Sequence, residues 1–500
     1  MTIFFSGNNY KYEIEAVMKL FIPACSFEFI FEDTGAAAQV YADKAADLAY
    51  IRIKRTKRLA IASVFVRLDG RSLSGQRKLL SGAPHSEEEH AACDLLYGLM
   101  EKLTGTAPKW GLLTGVRPVK RINRLIDEGW SRESIFEKIG TTFHTSEEKL
   151  SLAYQTALIQ REALLSLPED SFSLYISIPF CPTRCSYCSF VSHSIGTAGA
   201  VKLMNDYVER LCEEIVITGE ITERMGLMPD TVYIGGGTPT SLSAEQLAKI
   251  MQTVEKSFNL SKIREYTVEA GRSDTITEEK LIAIREGCKN VPVRISINPQ
   301  TMSNSVLEAI GRHHTVEQVL EAYDLARRLG LENINMDTIA GLSEDTLDGF
   351  IHTIDTLTEL NPESITVHAL TLKRSAAMFR EDHSAALSQP VGEMVDYAQR
   401  KLMQAGYLPY YLYRQKNTID NLENVGYAKK GFESLYNIYI MEEVQQVLAV
   451  GAGASTKLID RRTGKITRCF NYKFPYEYVG RFDRLIAKRR EFFLTSGNIQ

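Results

Sequence analysis

Three cysteines fall within eight residues, Cys181-Pro-Thr-Arg-Cys185-Ser-Tyr-Cys188, directly after an apolar run from Leu174 to Phe180. Thiols crowded onto one short loop have the make-up of a metal site. As thiolates, cysteines hold iron–sulfur clusters, normally one sulfur per exposed iron. Three of them on a four-iron cube leave one iron open to a ligand from outside the protein. A structural zinc site is the plainer alternative, yet it asks for four closed ligands, and the next cysteine, Cys212, lies well along a helical pattern. Buried inert thiols are a further alternative.

A second cluster of special residues, Gly235-Gly236-Gly237-Thr238-Pro239-Thr240, closes another apolar run. Glycines there let backbone N–H and C=O groups approach a ligand closely, although a plain tight turn reads the same way. Four polar residues stand at or just beyond the ends of further apolar runs: Glu269 in TVEAGR, Gln300 in RISINPQTM, Arg312 in AIGRHH and Asp337 in NMDTIAGL. Singly, each is as well explained as a helix cap, an ion-pair partner or a surface group. A barrel would gather all four around one mouth.

The elements that must position them alternate regularly. Strand candidates are LYISIPF (174–180), TVYIGGG (231–237), EYTVEAG (265–271), RISINPQ (294–300), NINMDTIAG (333–341) and SITVHAL (364–370). Helical patterns separate them, opened by capping signals at Ser243 with Gln246, Thr315 with Gln318, and Thr277 before Glu278. Six βα units predict an α/β fold with a parallel sheet, an incomplete (β/α)6 barrel over residues 170–375. Before it, residues 1–165 mix short β-like runs with a helix over Glu87 to Leu103, an N-terminal α+β accessory domain that ends in the polar stretch Ser166 to Ser173. After it, residues 376–500 are expected to form a mainly helical C-terminal domain covering the substrate, with a helix over Val391 to Ala405 and a glycine-rich turn at Gly451-Ala452-Gly453-Ala454. No repeat at a solenoid period is present.

Composition narrows the function classes. Lys plus Arg number 58 against 62 Asp plus Glu, a formal net charge of -4, so no global basic field points to nucleic acid or anionic membrane. No apolar run approaches the roughly 18 residues of a membrane span. The first residues, interrupted by Asn, Lys and Glu, lack the pattern of a signal peptide, so a cytoplasmic protein is expected. Eight cysteines in 500 residues are too few for a disulfide scaffold. Cys25, Cys93, Cys212, Cys288 and Cys469 lie singly in apolar or helical contexts and read as packing residues.

The CX3CX2C pattern followed by GGGTPT resembles the radical S-adenosylmethionine (SAM) superfamily. Within it the match over about 170–460 is similar to the oxygen-independent coproporphyrinogen III oxidase (dehydrogenase) branch, in its long HemZ form. The resemblance implies a [4Fe–4S] cluster on Cys181, Cys185 and Cys188 whose open iron is chelated by SAM, and two SAM molecules per chain. It implies Tyr175 near the sulfonium, Tyr187 packed on a second SAM, Gly236, Gly237 and Thr238 as the SAM-binding turn, and Glu269, Gln300, Arg312 and Asp337 as the remaining SAM contacts. No protein side chain is assigned as catalytic, because the radical comes from SAM. The implied reaction is oxidative decarboxylation of coproporphyrinogen III to protoporphyrinogen IX in haem biosynthesis, in a monomer fed by a donor such as flavodoxin or ferredoxin.

A tetracarboxylate substrate needs cations and an apolar floor, which Arg272, Lys373, Arg374, Arg414 and Lys416 with the Tyr407 to Tyr413 segment could supply, and a solvated basic surface with core tyrosines is the equal alternative. The chain departs from the decarboxylating members at Phe190, where they carry a fourth cysteine. The same change occurs in a haem-chaperone branch, which is the main alternative. A radical SAM methyltransferase that opens haem is another.

Overall fold

Period-two burial builds the first unit. Along Leu59–Leu68, Ala60, Ala62, Val64 and Val66 are buried and the residues between them are not, which is the pattern of a strand with one face on a core. The computed structural model describes the chain except residues 24, 32–46, 116, 191, 372–389, 416–417, 419–420, 461 and 497–500. The chain divides into a unit formed by Met1–Tyr154 with Asp420–Leu422 and a unit formed by Gln155–Ile419 with Glu423–Gln500.

In the first unit five strands, β1 (Thr2–Ser6), β2 (Glu28–Phe31), β3 (Leu48–Arg55), β4 (Leu59–Leu68) and β5 (Arg71–Leu80), lie in the order β2-β1-β3-β4-β5. β1 runs parallel to both its neighbours, and β3, β4 and β5 form an antiparallel meander. The helices Lys11–Phe21 and His85–Thr104 supply Ile14, Met18, Leu96 and Met100 to a core shared with Ile3, Phe5, Ile51 and Val64. This is the α+β architecture expected of the N-terminal region. The division between the units falls within the continuous helix Glu147–Leu165, upstream of the polar stretch that suggested a boundary.

In the second unit the six expected strands are present as β6 (Ser171–Ile178), β9 (Met228–Gly236), β10 (Glu265–Glu269), β11 (Val293–Ser296), β12 (Ile334–Ala340) and β13 (Ser364–Ala369). They lie side by side in chain order and all run parallel. Between β6 and β9, the two-residue strands β7 (Phe180–Cys181) and β8 (His193–Ser194) pair with each other. The capping signals act as read: Ser243 and Gln246 complete a capping box at the helix Ala244–Ser257, Thr315 and Gln318 complete one at Val316–Arg328, and Thr277 accepts from the Lys280 amide.

The C-terminal segment is not a separate helical layer. It carries the helices Val391–Gln404, Leu435–Glu442, Pro475–Gly480 and Phe482–Ser496, but also β14 (Leu408–Arg414), β15 (Glu423–Ala428), β16 (Gln446–Val450), β17 (Ser455–Ile459) and β18 (Ile466–Phe470). β15 pairs antiparallel with β13, and β16 pairs parallel with β6, extending the one sheet to the order β14-β15-β13-β12-β11-β10-β9-β6-β16-β17-β18. The reason lies in the edges: a parallel core leaves two rows of unpaired backbone groups, and these strands satisfy them. Among the described residues no helix is long and apolar enough to cross a membrane.

A buried carboxylate ties this segment to the core. Glu214, on the helix Ala200–Arg224, is fully buried and accepts from the Gly451 amide (2.8 Å), Asn471 (2.8 Å), Tyr478 (2.7 Å) and Arg489 (3.2 Å). The glycine-rich turn thus has a packing role. Gly451 has φ +93, and a Cβ there would lie 2.5 Å from the Ser177 carbonyl oxygen and 2.6 Å from the Tyr207 hydroxyl. Replacing Glu214 with Ala strands the buried Arg489 guanidinium, and such losses cost about 3–5 kcal/mol. The urea midpoint of Glu214→Ala should fall accordingly, while Glu213→Ala, a neighbour paired only at the surface with Arg210, should shift it by less than about 1 kcal/mol.

Candidate functional site

Strand β6 ends at Ile178 and delivers the chain directly into the cysteine loop. The loop is closed by the β7–β8 ribbon and by bonds from the Ile195 amide to the Cys181 carbonyl (3.0 Å) and from the His193 amide to the Pro179 carbonyl (2.8 Å). Its middle is fastened to the turn before the helix Val316–Arg328. The Ser186 amide donates to the Ile310 carbonyl (3.0 Å) and the Thr183 hydroxyl to the Gly311 carbonyl (3.1 Å).

Beneath the loop lies the glycine turn at the end of β9. The Gly237 amide donates to the Ile178 carbonyl (2.8 Å) and the Thr238 amide to the Phe180 carbonyl (2.7 Å). A Cβ at Gly237 would stand 2.6 Å from the Phe180 oxygen and 3.0 Å from the Cys181 sulfur, so only glycine lets the two segments meet. The Thr238 hydroxyl reaches the Cys181 sulfur at 3.5 Å. Cys185 is buried, and Cys181 and Cys188 are partly so.

Burial raises the pKa of Cys181 and of Cys188. As thiolates they therefore call for a strong positive charge beside them. Among the described residues no three His, Cys, Asp or Glu side chains converge as ligands of one ion. In a cubane each thiolate takes its own iron, so such a cofactor asks for three thiols on one loop and not for convergence on a point.

The wall next to the glycine turn is acidic and aromatic. Glu269, at the end of β10, accepts a short hydrogen bond from the Tyr233 hydroxyl of β9. Burial pushes its pKa up from 4.5 to about 7, partly offset by the bonds from Tyr233 and the Gly236 amide, while the nearby Asp337 charge adds to the rise. The Tyr233 ring stacks on Tyr436 at 4.4 Å, and Tyr175 of β6 stacks on both, at 6.1 and 6.2 Å. Burial raises the pKa of Tyr175, so its hydroxyl stays neutral.

Across the mouth sit Gln300, Arg312 and Asp337. Gln300 follows β11, adopts φ +70, and pairs through its backbone with Thr338 of β12. Its side chain is buried with Oε1 unpartnered, as is Oδ1 of the neighbouring Asn298. Arg312 is buried, donates to the carbonyls of Asn298 (2.7 Å) and Gly271 (3.3 Å), and keeps Nε free of partners. Its guanidinium also faces Cys185 and Tyr187. Burial raises the pKa of Tyr187 despite Arg312. At Asp337, burial works against ionisation, but the His368 ring 3.8 Å away and a hydrogen bond from Asn335 (2.7 Å) outweigh it and hold the carboxyl below its ordinary value.

Tyr233, Tyr436, Asn298, His368 and Asn335 were not singled out in the sequence. Tyr233 was detectable, because it lies two places before Gly235 and so shares its face of the strand. Tyr436 comes from a distant helix, and no local signal marks it. The expected substrate cations are placed differently. Arg272 is 3% exposed, donates through Nε and Nη2 to Asp274 (3.0 and 2.9 Å), and points inward. Arg414, Tyr407, Tyr410 and Tyr411 are buried, so these tyrosines are core, with only Tyr413 partly open. Lys373, Arg374 and Lys416 lie outside the described residues.

Comparison with known proteins shows the family and the fold. Residues 175–357 match the Radical SAM superfamily. Over 391 residues the chain is 44% identical to the oxygen-independent coproporphyrinogen-III oxidase-like protein HemZ of Bacillus subtilis, covering 77% of each chain. It is 32% identical over 318 residues to the heme chaperone HemW of the same bacterium, covering 61% of this chain and 77% of that one. The solved structure of coproporphyrinogen III oxidase (HemN) from Escherichia coli shares the fold, with a TM-score of 0.50 at 23% identity over 66% of this chain and 72% of that chain.

The raised pKa of Glu269 has a measurable consequence. A carboxyl near 7 in the folded state and near 4.5 ordinarily contributes stability that is fully present below about 4.5 and is lost as the pH rises through about 7. Relative to Glu269→Gln, which does not titrate, the wild-type protein should therefore lose on the order of a few kcal/mol across that window. Thermal or urea midpoints of both proteins at a series of pH values provide the check, and a pH-independent difference would contradict the assignment.

Proposed function

Because the chain belongs to the radical SAM superfamily, and within it to the family of oxygen-independent coproporphyrinogen-III oxidase-like proteins, we propose that it oxidatively decarboxylates coproporphyrinogen III to protoporphyrinogen IX. Enzymes of the superfamily use a [4Fe–4S] cluster and SAM. The observation that carries the local assignment is the seating of Cys181, Cys185 and Cys188 on one loop against the glycine turn, ringed by buried polar atoms that lack protein partners.

The residues fit these groups. Cys181, Cys185 and Cys188 would hold the cluster, and the Gly236, Gly237 and Thr238 turn packed against their loop would grip SAM. When bound, the pair supplies one-electron reductive cleavage of the sulfonium to a 5′-deoxyadenosyl radical, which abstracts hydrogen from a propionate β-carbon.

The chain's own part is binding and shielding. Glu269 and Asp337 present carboxyl oxygens to the hydroxyl and amino groups of the ligand. Gln300, with an unpartnered Oε1, and Arg312, with an unpartnered Nε, have hydrogen-bonding capacity in reserve. The Tyr175–Tyr233–Tyr436 stack forms an apolar wall beside them that excludes water. Tyr187, which faces Arg312, would pack on a second SAM. The substrate side is the strand-end mouth near His368 and Tyr413, whose hydroxyl lies 3.5 Å from His368 Nδ1. A flavodoxin or ferredoxin would supply electrons, in the cytoplasm, to a monomer.

One observation favours a second reading. Phe190, where decarboxylating relatives have a fourth cysteine, is 65% exposed at the end of the loop, and the haem-chaperone branch shares that change. A chaperone would bind haem and leave it unchanged.

Two experiments test the reading. Anaerobic incubation of the reconstituted protein with coproporphyrinogen III, SAM and reductant should yield a product lighter by two carboxyl groups. Recovery of the tetrapyrrole unaltered, with stoichiometric haem binding in a parallel titration, would favour the chaperone. Cys185→Ser should lose the broad iron–sulfur absorption and SAM cleavage together, by at least about a hundredfold in the latter, the scale on which ligand-shell losses act. Full activity in that variant would reject the cluster assignment.

A further inference from the structure

Arg272 was a candidate for the substrate's propionates, but its side chain is turned the other way. It is 3% exposed, and Nη1 lies 3.8 Å from the sulfur of Cys185 and 3.2 Å from the Thr183 hydroxyl, both on the cysteine loop. The guanidinium cannot swing freely. Asp274, two residues on, takes Nε and Nη2 in a bidentate fork at 3.0 and 2.9 Å. The Thr275 hydroxyl donates to the Arg272 carbonyl at 2.7 Å, and Thr183 is itself anchored to the Gly311 carbonyl at 3.1 Å. Behind Asp274 stands His314, buried, with its Nδ1 3.9 Å from Asp274 Oδ1.

Cys185 is the buried member of the three thiols, and on its other side faces the buried Arg312. Two guanidiniums therefore converge on one sulfur, whereas the side-chain donors at Cys181 are the neutral hydroxyls of Thr238 and Ser192. A surface arginine would be screened by water. One held dry by a carboxylate fork keeps a directed N–H toward the sulfur and a positive charge beside it.

We propose that Arg272, clamped by Asp274, tunes the reduction potential of the iron–sulfur cluster through Cys185. This rests on the reading that Cys185 is a cluster ligand. Reduction adds one electron from a low-potential carrier and makes the cluster one unit more negative, with no bond made or broken at Arg272. Hydrogen bonds to the ligand sulfurs and nearby positive charge stabilise the more negative state and raise the potential. Arg272 acts through Cys185 and touches neither SAM nor substrate in this role.

The test is a redox titration of the full chain, anaerobically reconstituted, with reduced cluster followed by electron paramagnetic resonance and with iron and sulfide measured on each sample. In Arg272→Gln, cluster content should match the wild type. The ratio of reduced to oxidised cluster at a fixed potential should fall about tenfold, a negative shift of about 59 mV for a one-electron couple. Arg272→Lys, which keeps the charge but loses the fork, should shift in the same direction by less, and it carries the test if Arg272→Gln takes up no iron. An unmoved midpoint in the variant that retains its cluster would overturn the proposal. A wild-type protein that takes up no iron and sulfide would instead overturn the assignment of the cysteine loop, a distinguishable result.

Discussion

The mouth of the second unit rests on a close approach between two backbones. The turn ending β9 and the segment entering the cysteine loop are laced by amide-to-carbonyl bonds, and they can come together only because Gly237 has no side chain to interpose. Everything else at the mouth is arranged around that contact. It sets the height of Cys181 above the sheet, and the same turn gives Glu269 the Gly236 amide that partly offsets its burial. A parallel sheet makes this possible, since all six core strands end on one side and each contributes its terminal residues to a common rim.

Around the rim, charge is placed where water is scarce. Glu269 and Asp337 are both partly buried carboxyls, yet their ionisation is driven in opposite directions. Desolvation and the Asp337 charge raise the first, while the second has Asn335 as a donor and the His368 ring 3.8 Å away. Arg272 and Arg312 stand on the side of the cysteines. The result is a polarised chamber, acidic toward the tyrosine wall and cationic toward the sulfurs. That separation suits an environment in which one end must hold a sulfonium-bearing zwitterion and the other must accept electrons.

Much of this was legible in the sequence, for physical reasons that can be named. The six strands were readable because parallel strands buried on both faces are continuous apolar runs, and the helices because Ser243, Thr277 and Thr315 cap them through local hydrogen bonds. The site residues at strand ends followed from the alternation and from a family resemblance. What local pattern could not give was direction. Arg272 reads as a solvent-facing cation and proves to be an inward one, because its partner Asp274 lies two residues away and its target on another loop. The tyrosines from Tyr407 to Tyr411 read as a binding floor and prove to be core, because the sheet extends beyond the six strands and covers them. The C-terminal helices were visible, but their intervening strands complete edges formed much earlier in the chain, which no local window reports.

That last pairing also orders events in time. β6 is flanked on one side by β9 and on the other by β16, and the Ser177 hydroxyl at its end donates to the Ala452 carbonyl, 275 residues later. A ribosome releases the N-terminal partner long before the C-terminal one, and contacts of such sequence separation are slow to close. The strand that launches the cysteine loop therefore keeps one edge bare until β16 has been made. A nascent chain that has not yet reached β16 presents the cysteine loop on a strand with one edge unpaired.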